Sequence, residues 1–181
     1  VLARRLSAIS PHATCKPCPH RLPLAGKLHE DFLEQIGEAD IILDFSTSEQ
    51  AFGYLDNVCR SYAKLLVSGY VSFGAKSFCM FSNSVEQTAE EAETRLLSLL
   101  EGDGSYDALF PAPPAQGRIL EGAGCWHPTF PGTEHQIAGW AAFAVAQLEQ
   151  YVTQQLEQPL GVVATFADGH DAGVIKIVHR L

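Results

Sequence analysis

The spacing of apolar residues along this chain changes several times, and each change marks an element. Leu2, Leu6 and Ile9 recur at helical intervals and end before Pro11, because proline disfavours helical geometry in the residue preceding it. Residues 13–19 read as extended. Pro23 and Gly26 then mark a loop, and Leu28, Phe32, Leu33 and Ile36 predict an amphipathic helix stopped at Gly37. Ile41-Ile42-Leu43 followed by Asp44 is a continuous apolar run, the pattern of a central parallel strand covered on both faces. Ser48 and Glu49 open a helix carrying Ala51, Phe52, Leu55, Val58 and Cys59, and Leu65-Leu66-Val67 completes a strand, helix, strand unit. Residues 70–81 alternate well enough for one or two further strands around Gly74. Val85 to Leu100 predicts a helix whose leucines sit behind an acidic first half.

From about residue 103 to 133 no period is visible, and the composition turns to glycine and proline, with Phe110-Pro111-Ala112-Pro113-Pro114 and Gly122-Ala123-Gly124. Loops longer than about 15 residues inside a domain are usually functional or disordered, so this stretch draws attention. Beyond it, Ile137, Trp140, Ala141, Ala144, Leu148, Tyr151 and Val152 form the stripe of a long helix. Leu160 to Phe166 and Val174 to Val178 predict an antiparallel strand pair that closes the chain. The expected fold class is α/β: a largely parallel sheet with flanking helices and antiparallel terminal strands.

Composition narrows the function classes. With 46% hydrophobic and 18% charged residues in 181, the chain has the make-up of a single soluble globular domain, and no apolar run approaches the roughly 20 residues of a membrane span. A formal charge of −9 has the wrong sign for attraction to a phosphate backbone, which argues against nucleic acid as a partner. Five cysteines, an odd number in a chain long enough to bury a core unaided, point to free thiols and a cytoplasmic location. The residues at the start lack the pattern of a signal peptide, and the absence of Met at Val1 suggests a piece of something longer.

Three places carry candidate chemistry. Cys15 and Cys18, flanked by His12 and His20, have metal or redox spacing, but on a strand residues three apart point to opposite faces and no second pair completes a tetrahedral set. Asp44-Phe45-Ser46-Thr47 lies where the strongest strand meets the next helix, the edge at which open α/β sheets bind ligands. There Asp44 could hold a metal-bound phosphate or a ribose hydroxyl; alternatively Thr47 or Ser48 caps the helix while Asp44 bonds backbone amides of the turn. Cys125, within Gly122-Ala-Gly-Cys-Trp-His-Pro-Thr-Phe-Pro-Gly132, is placed to be reached by a macromolecular substrate, with His127, Glu134 and His135 near it in sequence. Cys59 and Cys79 read as small core hydrophobes. A reading in which Trp126, Phe130 and the prolines merely pin the loop stays open for Cys125. No Walker loop, G-x-G-x-x-G, H-E-x-x-H or G-x-S-x-G is present, and Gly69 to Gly74 misses the last by one residue.

Together these pieces resemble the ThiF/MoeB/HesA superfamily of adenylating enzymes, relatives of the ubiquitin-activating enzymes. Leu6-Ser-Ala-Ile-Ser-Pro11 is similar to the family's helix ending in an Asn-Pro turn, and Ala39-Asp-Ile-Ile-Leu-Asp44-Phe-Ser-Thr47 to its strand ending in an Asp-x-Thr-Asp element. Leu55 to Cys59 and Leu65 to Gly69 resemble the following helix and strand. Tyr106 to Pro114 looks like the start of the family's crossover loop, Gly124-Cys125 like its cysteine, and the Trp140 helix with the last two strands like its closing elements. The resemblance implies the C-terminal half of a Rossmann-like adenylating domain spanning residues 1–181, with a crossover loop at about 103–133.

By the same resemblance, the C-terminal glycine of a ubiquitin-like or sulfur-carrier protein would be activated with ATP and magnesium and passed to Cys125, with Asp44, Ser46 and Thr47 as cofactor-binding positions. The run after Cys125 looks most like bacterial enzymes of ubiquitin-like conjugation systems. Three departures are visible: the Gly-rich ATP loop is absent, Thr47 stands where a second acid is usual, and the paired Cys-x-x-Cys motifs that hold zinc are missing, so no zinc is expected. Val85 to Leu100 looks like a helical insertion. The implied partners are the carrier protein, the N-terminal half of the same protein and, as an open alternative, a second copy of the chain. Two other classes remain: a non-catalytic module of the same fold that docks a partner, and a thiol redox protein using Cys15 and Cys18.

Overall fold

The computed structural model describes residues 14, 22–23, 26–111, 132–154, 158–166 and 175–181, with the side chains of 27 and 28 excepted. The element expected around Leu2 to Ile9, the Cys15 and Cys18 pair and Cys125 all lie outside the described residues.

Helix α1 (Lys27–Glu38) leads into strand β1 (Ile41–Asp44), helix α2 (Glu49–Ser61) and strand β2 (Leu65–Val71). A 3₁₀ turn at Phe73–Ala75 joins β2 to β3 (Ser77–Ser82), with Gly74 at φ 82° making the reversal a side chain would resist. Helix α3 (Ala89–Asp103) and the short α4 (Tyr106–Leu109) follow, then α5 (Glu134–Gln154), β4 (Gly161–Phe166) and β5 (Ile175–Arg180). The five strands form one sheet in sequential order.

The expected β1-α2-β2 unit is present, with Ile41 to Asp44 pairing in parallel with Leu65 to Ser68. The expected largely parallel sheet is not: β2 with β3, β3 with β4 and β4 with β5 are all antiparallel. The reason is connection length. The turn at Phe73–Ala75 is too short for the crossover that a parallel neighbour requires, so β3 must return along β2. The antiparallel pair expected at the end of the chain is β4 and β5.

Side chains alternate between two packed layers, as strand geometry demands. On β3, Cys79 and Phe81 point into one core with Leu55, Cys59, Leu66, Leu96 and Leu100, beneath α2 and α3. Phe78 and Met80 point into the other with Val67, Val162, Trp140 and Ala144, beneath α5. Helices therefore flank both faces of the sheet.

Two sequence boundaries shift for identifiable reasons. The helix expected from Val85 starts at Ala89, because Thr88 and Glu91 form a capping box and the Asp56 carboxylate accepts from the Ala89 N–H at 3.1 Å and the Glu90 N–H at 3.4 Å. The loop expected from about 103 instead opens with α4, whose Leu109 is buried. Val152, expected on the apolar stripe of α5, is exposed.

Candidate functional site

Strand β1 delivers Asp44 to the C-terminal edge of the parallel pair, where its backbone lies beside Ser68. The side chain is buried at 5% exposure, and its Oδ1 accepts from the Ser46 N–H at 2.9 Å. Ser48 caps α2, its hydroxyl accepting from the Ala51 N–H at 3.3 Å. The turn thus contains both features of the structural alternative: Asp44 bonds a backbone amide and Ser48 caps the helix. Ser46 and Thr47 are exposed, and the Thr47 hydroxyl donates to the Ser46 carbonyl at 2.7 Å.

Thr47 itself is unusual. It holds φ 55°, in the left-handed region that a β-branched residue rarely occupies. Such strain costs about 1–3 kcal/mol, persists only where the surroundings enforce it, and gathers at ligand-binding sites. No sequence pattern announces it, since propensity for this region is carried by glycine and asparagine rather than threonine.

Beside this turn runs a groove of about 290 Å³ between the sheet and α5, walled by Leu43, Phe45, Met80, Trp140, Val145 and Leu148. Thr47 stands on its rim and the Gly69 backbone forms part of its floor. Gly69 is bare for a steric reason: a Cβ there would lie 2.9 Å from both the Cys79 carbonyl oxygen and the Phe45 ring. Leu43 and Phe45 stay about half exposed, at 51% and 47%. Sequence reading found Asp44 and its neighbours but missed the groove, whose lining comes from β1, β2, β3 and α5 and has no local signature.

The residues present do not suit magnesium. Asp44 already accepts a turn amide, Thr47 replaces a second acid, and among the described residues no group of three or more His, Cys, Asp or Glu gathers. An ion at this edge would need donors from outside the described residues. Nor does the groove, apolar throughout, offer charge to a triphosphate; it suits aliphatic or aromatic groups.

Cys59 and Cys79 are fully buried. Burial first, and the Asp56 charge second, push the Cys59 thiol up to about 11; burial pushes Cys79 up to about 12. Neither offers a thiolate near neutral pH, which agrees with their reading as core residues. Burial likewise raises the phenol of Tyr70 and the carboxyl of Glu93. Among the described residues no helix is long and apolar enough to cross a membrane.

Compared with models of known protein families the chain matches none, and comparison with curated proteins gives no match.

Proposed function

We propose that this chain is the acceptor half of a Rossmann-like enzyme that activates the C-terminus of a ubiquitin-like or sulfur-carrier protein, working in the cytoplasm. The observation that carries the reading is the strained Thr47, held at φ 55° one turn beyond Asp44 at the ligand-binding edge of a parallel strand pair. The order of elements that resembles the ThiF/MoeB/HesA superfamily supports it. ATP is the co-substrate, with its phosphates gripped by the N-terminal half of the same protein.

In the proposed sequence the carrier's terminal carboxylate attacks the α-phosphorus of ATP and pyrophosphate leaves. The Cys125 thiolate then attacks the acyl carbon, the bond to AMP breaks, and a thioester forms while the thiol proton passes to solvent. The apolar groove beside Thr47 receives the carrier's tail. Cys59 and Cys79 do not compete, because burial keeps both protonated.

The test uses the complete protein with ATP and a carrier ending in glycine. Cys125→Ala should leave ATP–pyrophosphate exchange nearly intact and abolish a thiol-sensitive adduct, whereas Asp44→Ala should slow the exchange itself. The 181-residue chain alone should neither exchange nor hydrolyse ATP. Absence of exchange in the complete protein would sink the enzyme reading and favour a second one, a non-catalytic module that docks a partner. That alternative draws on the exposure of Leu43, Phe45 and Val145 along one groove.

A further inference from the structure

A second cavity, of about 350 Å³, opens at the end of the sheet opposite Asp44, where α2 passes into β2 and β3 into α3. This volume is that of a small-molecule site. Its shape follows from the helix stop that precedes it. The Lys64 N–H donates back to the Cys59 carbonyl at 2.8 Å, the long-range bond of a left-handed helix terminus, and Ala63 takes the left-handed position at φ 50° that glycine normally fills. The stop sets Arg60 and Lys64 on one wall. Asn83, 8% exposed, makes a rigid floor: its Oδ1 accepts from the Leu66 N–H and its Nδ2 donates to the Lys64 carbonyl, each at 2.8 Å.

Charge gives the cavity its chemistry. Two cations, Arg60 and Lys64, and two acids, Asp56 and Glu86, line the pocket, and among the described residues neither cation has a carboxylate within ion-pair distance. Of the two acids, the first is held by backbone amides and the second is exposed. Asp56 accepts from the Ala89 and Glu90 amides at the start of α3. Glu91, just outside the lining, accepts from the Thr88 N–H at 2.8 Å, and Glu86 is exposed on the connecting loop. Ser84 and Thr88 add hydroxyls, and Leu65 and Tyr151 add apolar wall.

The geometry points to a binding site for a small molecule that joins one oxyanion group, a phosphate or a carboxylate, to an apolar body. Arg60 and Lys64 hold the oxyanion, and the body lies against Leu65 and Tyr151. The site is independent of the adenylation reading, because it lies at the other end of the sheet and uses none of the same residues.

Titration calorimetry on the 181-residue chain tests it with four probes: phenyl phosphate, phenylacetate, inorganic phosphate and benzyl alcohol. Saturable binding at one site is expected for at least one aromatic anion, and the tighter of the two identifies the oxyanion. Inorganic phosphate should bind more weakly than phenyl phosphate because it lacks the body. Arg60→Gln with Lys64→Gln keeps much of each side-chain stem and the backbone bonds of the turn, and should weaken binding by about tenfold or more. Arg95→Gln, an exposed cation of α3 outside the cavity, should leave it unchanged. Amide shifts on binding should centre on Lys64 and Ser84. Failure of every anion to saturate, benzyl alcohol binding as tightly as the anions, or affinity unmoved in the double variant would each overturn the assignment.

Discussion

The indole Nε1–H of Trp140 donates to the carbonyl of Ala75 at 2.7 Å, joining α5 to the turn between β2 and β3 across 65 residues of sequence. The same ring stacks on Phe78 and lies 4.2 Å, centroid to centroid, from Phe166. One side chain thus fixes the helix that walls the apolar groove. Trp140→Phe keeps an aromatic body but leaves the buried Ala75 carbonyl without its donor, so a loss of about 1–3 kcal/mol is expected. Urea unfolding measures it; a loss below about 0.5 kcal/mol would mean that water replaces the indole.

Gly69→Ala is expected to destabilise the chain by about 1–3 kcal/mol, as overpacking does. The Phe45 ring, half exposed, can swing away from a new methyl, but the Cys79 carbonyl oxygen belongs to the paired backbone of β3 and cannot. Thermal unfolding checks the loss, and an unchanged midpoint would show that β2 and β3 separate freely at this point.

Glycine should do the opposite at two of the three positions where a non-glycine residue holds a positive φ. Ala63 and Thr47 hold φ 50° and 55°, a conformation that costs an L-residue about 1–2 kcal/mol, while the extra freedom of glycine in the unfolded chain takes back about half of that. Ala63→Gly should therefore gain about 0.5–1 kcal/mol. Thr47→Gly should gain at least as much while slowing ATP–pyrophosphate exchange in the complete protein. Stability gained at Thr47 with exchange unaltered would separate the strain from function.

The buried thiols predict a pH window. Their ordinary value is near 9, and in the folded chain it rises to about 11 for Cys59 and about 12 for Cys79. Below pH 9 both are protonated whether folded or unfolded, and their full contribution to stability is present. Between pH 9 and 12 the unfolded chain ionises first, so stability falls as pH rises. Iodoacetamide at pH 8 should leave both unlabelled until denaturant is added, as read by peptide mass spectrometry. Rapid labelling of either in the native chain would contradict its burial.

Local patterns alone determined most of the elements. The 3.6-residue spacing in α1, α2 and α5, the apolar run at Ile41 to Leu43, the alternation through β2 and β3, and the closing strand pair were all legible, because backbone geometry imposes its period on whatever must be buried. Asp44 at the strand end and Ser48 at the helix start were legible for the same reason. Only tertiary structure decided the polarity of the sheet, since one apolar strand reads alike in parallel and antiparallel company. It also decided the start of α3, where Asp56, 33 residues earlier, caps the first turn. The bare floor at Gly69, set by Phe45 and Cys79, and the placing of Asn83 beside Lys64 and Leu66 arise from contacts between distant segments, and a sequence carries no period for a cavity.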